Sequence, residues 1–211
     1  MKTTFITLGI LTLLCCAAPS FASSLSICEG VTGNLVLNCG FETGDFSNWT
    51  VLNNDGNTAV EGVSFTPPGV NSGNFAAVLG DAATTPTTIE QTFSDILGTT
   101  LTFSFYLATD GTANAFTAEW DGTPVLSLVD SPAQGYTQYS YTFTATGSDT
   151  ISFLEQDPLG YMGLDDVVVV DPPPPNSNVA STPEPSSLAF AAVTLLGLLV
   201  LARRRRANGK V

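Results

Sequence analysis

Residues 23–171 are predicted to form one all-β domain, an antiparallel β-sandwich, flanked by an N-terminal signal peptide and a single C-terminal hydrophobic helix. Three observations predict the sandwich. Apolar and polar residues alternate with period two through most of the segment, the helical period of 3.6 is absent, and Gly, Pro and Asp-Gly turns divide the apolar runs. About ten short strands punctuated in this way pack as two sheets rather than as helices on a sheet. At about 150 residues the segment is long enough to bury a proper core.

The elements follow in order. Leu35-Val36-Leu37 is expected to open the domain as a strand, with Gly40 to Asp45 turning away from it. Trp49 and Val51 flank Thr50 in a second, and Val60 to Phe65 makes a third, closed by Pro67-Pro68-Gly69. Phe75 to Leu79 and Ile89 to Phe93 follow, separated by the Thr/Pro-rich loop around Pro86. Leu101, Phe103, Phe105 and Leu107 alternate with Thr102, Ser104 and Tyr106, the clearest half-buried strand. Phe116, Ala118 and Trp120 alternate with Thr117 and Glu119, and Asp121-Gly122 is a hairpin turn leading to Val125–Val129. Tyr139, Tyr141 and Phe143 form the next strand, Ile151 and Phe153 the one after, and Leu164 to Val170 the last. Trp49 and Trp120, in phase with apolar neighbours, are expected in the core. Pro172 to Thr182 is a stiff, polar stalk.

Charge excludes whole classes of function. The six basic residues are Lys2, Arg203 to Arg206 and Lys210, and of the 19 acids only Glu184 lies outside residues 23–171. That segment therefore carries 18 acids, no base and a formal charge of −18, and the chain has no histidine. Phosphate neutralisation needs Lys or Arg, so nucleic acid is excluded as a partner. Docking by charge to anionic lipid is excluded likewise. So acidic a body repels itself unless cations neutralise part of it, and divalent ions are the natural candidates; the plain alternative is a solvated acidic surface.

The same composition removes serine triads and Schiff bases. Glycoside hydrolysis survives because two carboxylates suffice, with Glu119, Asp121, Glu155 and Asp157 as formal candidates, yet no spacing singles out a pair. No catalytic residue is assigned. A sugar-binding face is the more natural use of these strands. Tyr106 lies opposite the Leu101/Phe103/Phe105 face, and Glu119 and Gln138 sit on the polar faces of their own strands. The plain alternative for Tyr106 is an ordinary tyrosine on an outer sheet face.

The ends carry the address. Lys2, the apolar stretch Phe5 to Ala18 and the small residues of Ser20-Phe21-Ala22 read as a signal peptide over residues 1–22, with Cys15 and Cys16 discarded inside it. Two cysteines remain, Cys28 and Cys39, and in an exported protein they are expected to pair; two thiols without histidine do not suit a metal. At the other end Pro183-Glu184-Pro185 precedes the apolar run 188–202, then Arg203-Arg204-Arg205-Arg206 and a cytoplasmic tail, 207–211. The 15-residue run spans about 22 Å as a helix, short against a hydrocarbon core of about 30 Å, and the arginines stop it with the positive end inside.

This three-part order over residues 183–206 resembles the PEP-CTERM sorting signal of Gram-negative bacteria, with an ordinary C-terminal anchor as the alternative. The resemblance implies processing by an exosortase-type membrane enzyme after a transient stay in the inner membrane, then display at the surface or in the extracellular matrix. Asn34 to Trp49 (NLVLNCGFETGDFSNW) and Tyr161 to Val170 (YMGLDDVVVV) resemble jelly-roll domains of the galactose-binding-like and carbohydrate-binding-module type. In calcium-containing members the glutamate of the first stretch and an aspartate of the second hold a structural Ca2+, which implies Glu42 and Asp165, with Asp166 as the second choice. Cys39 departs from the glycine expected before Gly40. Together these features imply an exported, non-enzymatic protein associating with exopolysaccharide. The alternatives are a structural surface protein without a discrete ligand and a carboxylate-pair glycosidase.

Overall fold

The computed structural model describes residues 25–65, 68–111 and 113–171. The signal peptide, the stalk, Pro183-Glu184-Pro185, the apolar run and the arginines lie outside the described residues. Among the described residues no helix is long and apolar enough to cross a membrane.

Among the described residues, ten strands form two five-stranded antiparallel sheets. They are β1 (Thr50–Leu52), β2 (Ala59–Gly62), β3 (Phe75–Leu79), β4 (Thr87–Ser94), β5 (Thr100–Thr109), β6 (Ala115–Trp120), β7 (Thr123–Val129), β8 (Gln134–Thr144), β9 (Ser148–Gln156) and β10 (Met162–Val170). One sheet runs β1-β4-β9-β6-β7, the other β2-β3-β10-β5-β8. The alternating residues of facing strands meet between the sheets. Phe153 sits near the middle, with ring centroids 5.1 Å from Phe105 and 5.9 Å from Phe103 and Phe116. Trp120 stacks on Phe143 at 4.5 Å, and Trp49 stacks on Phe41 at 5.5 Å. The aromatics that alternate in the sequence therefore converge on one core, where truncating a ring such as Phe153 costs about 3–5 kcal/mol.

The Asp121-Gly122 turn forms as its composition predicts, with φ of 49° and 71° suiting a two-residue hairpin. Two expected strands are corrected. Val60–Phe65 ends as a strand at Gly62 and continues into a turn closed by Phe65 N–H donating to Gly62 O at 2.9 Å. Leu35-Val36-Leu37 is not a strand. Its backbone reaches β10 through Leu35 N–H to Val169 O at 2.8 Å, while side chains replace the rest of a ladder. Asn34 Oδ1 accepts from Val169 N–H, and the Gln91 amide both accepts from Leu37 N–H and donates to Leu37 O. Alternation in the sequence reports burial of Val36, not strand pairing.

Cys28 and Cys39 are joined by a disulfide that ties the 3₁₀ turn Cys28–Gly30 to the segment approaching Phe41. The N-terminal segment is thereby held against the end of β10, where the site described next is built.

Candidate functional site

The two stretches that bracket the domain meet at the loop before β3. Asp165 Oδ2 accepts from the amides of Asn71 and Ser72 at 2.9 and 3.2 Å, and its Oδ1 accepts from Asp166 N–H at 2.7 Å. Asp166 accepts from Cys28 N–H at 3.0 Å, from Ser72 Oγ and from Asn71 Nδ2. Glu42 accepts from the amides of Asn74 and Phe75 on the far side of the same loop. A bulge makes this possible. The β10–β5 register shifts between Asp165 and Val168, and Asp166 takes φ of 49°, so two successive aspartates both turn toward the loop. Gly73, at φ of 66°, is needed because any Cβ there would collide with the Glu42 carboxylate.

Asp165 is fully buried and Asp166 only 1 % exposed. Burial, then the neighbouring Asp166 charge, pushes the Asp165 carboxyl up to about 8. Two buried acids with no basic residue anywhere in residues 23–171 are costly, and a cation would relieve that cost. The donors are hard oxygens, the chemistry calcium takes. Among the described residues no three Asp, Glu, His or Cys side chains are gathered closely enough to hold a metal by themselves, so a calcium here would need backbone carbonyls as well. Asp165 and Glu42 meet the two ends of the loop at residues 71–75, where its backbone amides donate to their carboxylate oxygens.

The residues expected to bind sugar are only partly brought together. Tyr106 and Gln138 are direct cross-strand partners on the outer face of the β5–β8 pair. Glu119 lies on β6 in the other sheet, so the three do not form one patch, and this expectation is corrected. The reason is topological: β6 crosses to the opposite sheet after β5, which alternation along one strand cannot reveal. The formal acid candidates scatter as well. Asp121 accepts from Thr150 N–H at the β6–β7 turn, while Glu155 is buried against the Thr58 hydroxyl and the Asp81 amide. Asp157 is 1 % exposed at the opposite end of β9 from Asp121. Glu155 and Asp157 are each only 1 % exposed.

Further along the outer face from Tyr106 and Gln138 lies a cleft of about 390 Å³, lined by Pro68, Ala108, Thr109, Asp110, Gln134 and Tyr161 among others. A second, of about 210 Å³, is lined by Asn57, Gly80, Asp157, Leu159, Gly160 and again Tyr161. Tyr161 is the wall the two share. It is 38 % exposed, its N–H donates to Asp110 Oδ2 at 3.0 Å, and Phe65 packs edge-on to its ring at 5.2 Å. An exposed ring held firmly beside amide, hydroxyl and carboxylate groups has the make-up of a sugar platform. Tyr161 is not among the candidates singled out from the sequence, where its one signal is an aromatic following Pro158-Leu159-Gly160 just before a strand.

The β-sandwich has counterparts among solved structures. The described sandwich resembles TmCBM61, solved in complex with β-1,4-galactotriose, at a TM-score of 0.50 and 19 % identity over 66 % of this chain and 99 % of that one. A CBM4 structure (TM-score 0.43, 19 % identity, 65 % and 99 % covered) also matches. So does the K3 cleaved adhesin domain of Lys-gingipain from Porphyromonas gingivalis (0.44, 20 %, 64 % and 99 %). At these identities the likeness is one of fold. The domain has a β-sandwich fold similar to that of TmCBM61. No protein-family model matches the sequence, and no curated protein matches it at a significant level.

Proposed function

We propose that this domain is a non-catalytic glycan-binding module that associates with exopolysaccharide. The observation that carries the reading is the Tyr161 ring, exposed between two clefts on a sandwich of this fold. Tyr106 and Gln138, on β5 and β8 of the same sheet, would contact a longer chain. The sorting tail read at Pro183-Glu184-Pro185 and Arg203 to Arg206 would deliver the protein to an exosortase-type enzyme and on to the cell surface or matrix. One calcium ion is part of the proposal. Held by Glu42 and Asp165, with Asp166 behind, it would neutralise the buried acids and fix the loop at residues 71–75.

The test is saturable binding of the full chain, in a zwitterionic detergent, to the producing organism's extracellular polysaccharide. Binding that weakens at least about tenfold on Tyr161→Ala supports the module. Calcium-dependent self-association with no affinity for polysaccharide would instead favour a structural surface protein.

A further inference from the structure

We infer that the ligand is an uncharged oligosaccharide lying across Tyr161, with sugar units in both clefts. This rests on the reading of the clefts as a glycan site and adds the ligand's charge and length. The length follows from Tyr161 itself. Tyr161 lines a cleft of about 390 Å³ on the Ala108–Gln134 side and another of about 210 Å³ on the Gly80–Leu159 side. The ring cannot swing to merge or close them easily. Gly80 lies directly against it, Phe65 packs edge-on, and the Tyr161 amide is tied to Asp110. A single sugar fills one side only, whereas a chain crossing the ring uses both and places a C–H face on the aromatic surface.

The charge follows from what the walls lack. Recognition of a carboxylate, sulfate or phosphate on a sugar calls for Arg or Lys, or for a cluster of free amides at a helix N-terminus. Residues 23–171 contain no Lys, Arg or His, and the two clefts offer Thr109, Gln134 and Asn57 alongside two acids, Asp110 and Asp157. An acidic chain would be repelled by these and by the whole −18 domain. An amino-sugar chain would be drawn to the domain, but not to this site in particular. Asp157 is 1 % exposed and Asp110 is turned to the Tyr161 amide, so a cation would collect on the outer acids elsewhere. Hydroxyl groups, which exchange hydrogen bonds with the neutral Thr109, Gln134 and Asn57 side chains without carrying charge, are the partners these walls suit.

The experiment separates the organism's extracellular polysaccharide by ion exchange into neutral, acidic and basic fractions. Each is titrated against the full chain in zwitterionic detergent, once with calcium and once with chelator, so that calcium bridging of acids is told apart from direct binding. The neutral fraction should bind saturably, change affinity by less than about twofold between roughly 0.05 and 0.5 M salt, and lose about tenfold or more on Tyr161→Ala. Monosaccharides from its hydrolysis should bind at least about tenfold more weakly than oligosaccharides. Gln134→Arg, which places a cation in the larger cleft, should create affinity for the acidic fraction and keeps the claim testable if the Tyr161 variant folds poorly. Tyr161-dependent binding of the acidic or basic fraction, or equal affinity for monosaccharide and oligosaccharide, overturns the inference and leaves the glycan module standing. No binding of any fraction overturns both.

Discussion

The Tyr161 ring rests on the bare backbone of Gly80: a Cβ at residue 80 would stand 2.5 Å from ring atoms Cδ1 and Cε1. Glycine at this point belongs to the platform as much as the tyrosine does. Gly80→Ala should push the ring out of place, destabilise the domain by about 1–3 kcal/mol and weaken glycan binding together with it. Unfolding curves and a binding titration of the same variant check this. Unchanged affinity would mean that the position of the ring is immaterial to recognition.

Removing the disulfide tests the tie between the N-terminal segment and β10. Cys28 and Cys39 are separated by 11 positions, so the bridge closes a short loop. Replacing both with serine should cost about 3 kcal/mol in chemical denaturation. Reductant should lower the stability of the wild type and leave that of the variant unchanged. The same response in both would show that the bridge contributes nothing.

Glu155 sets a pH dependence. Its carboxyl is pushed up to about 7 from an ordinary 4.5, chiefly by burial, against the opposing bonds from Thr58 and the Asp81 amide. A carboxyl whose folded value is raised binds its proton more tightly in the folded state. Its stabilising contribution is therefore full below about 4.5 and lost as pH rises through about 7. Between about pH 4.5 and pH 8 the wild type should lose about 3 kcal/mol relative to Glu155→Gln. Parallel stability profiles for the two proteins would rule this out.

How far the sequence foretold this structure depends on the range of each signal. Alternation is local, so the strands around Phe103, Trp120 and Phe143 and the Asp121-Gly122 turn were legible. At Leu35 to Leu37 alternation described burial correctly, yet Gln91 and Asn34 supplied by side chain the bonds a strand would have made. The site was harder to read because its parts are distant in sequence. Tyr106 and Gln138 fall into register across one hairpin, but Glu119 crosses to the other sheet. Tyr161 matters through Gly80, Asp110 and Phe65, and nothing in its own neighbourhood of sequence records those contacts. The loop that gathers Glu42, Asp165 and Asp166 was likewise silent, since Asn71 and Ser72 look like ordinary turn residues.

Calcium should stabilise the domain through that loop. At about a hundredfold excess over its dissociation constant, a bound ion adds about 2.7 kcal/mol. The thermal midpoint should rise with calcium and fall with chelator, and Glu42→Gln or Asp165→Asn should remove most of the difference. A midpoint indifferent to both additions would leave the buried acids to be stabilised by their amide donors alone.

The most direct measurement is a titration of the full chain with the producing organism's extracellular polysaccharide, wild type beside Tyr161→Ala. The structure predicts saturable binding by the wild type and a loss of about tenfold or more in the variant, with both proteins folded alike. Equal binding by the two, or none by either, would contradict a glycan platform built on Tyr161.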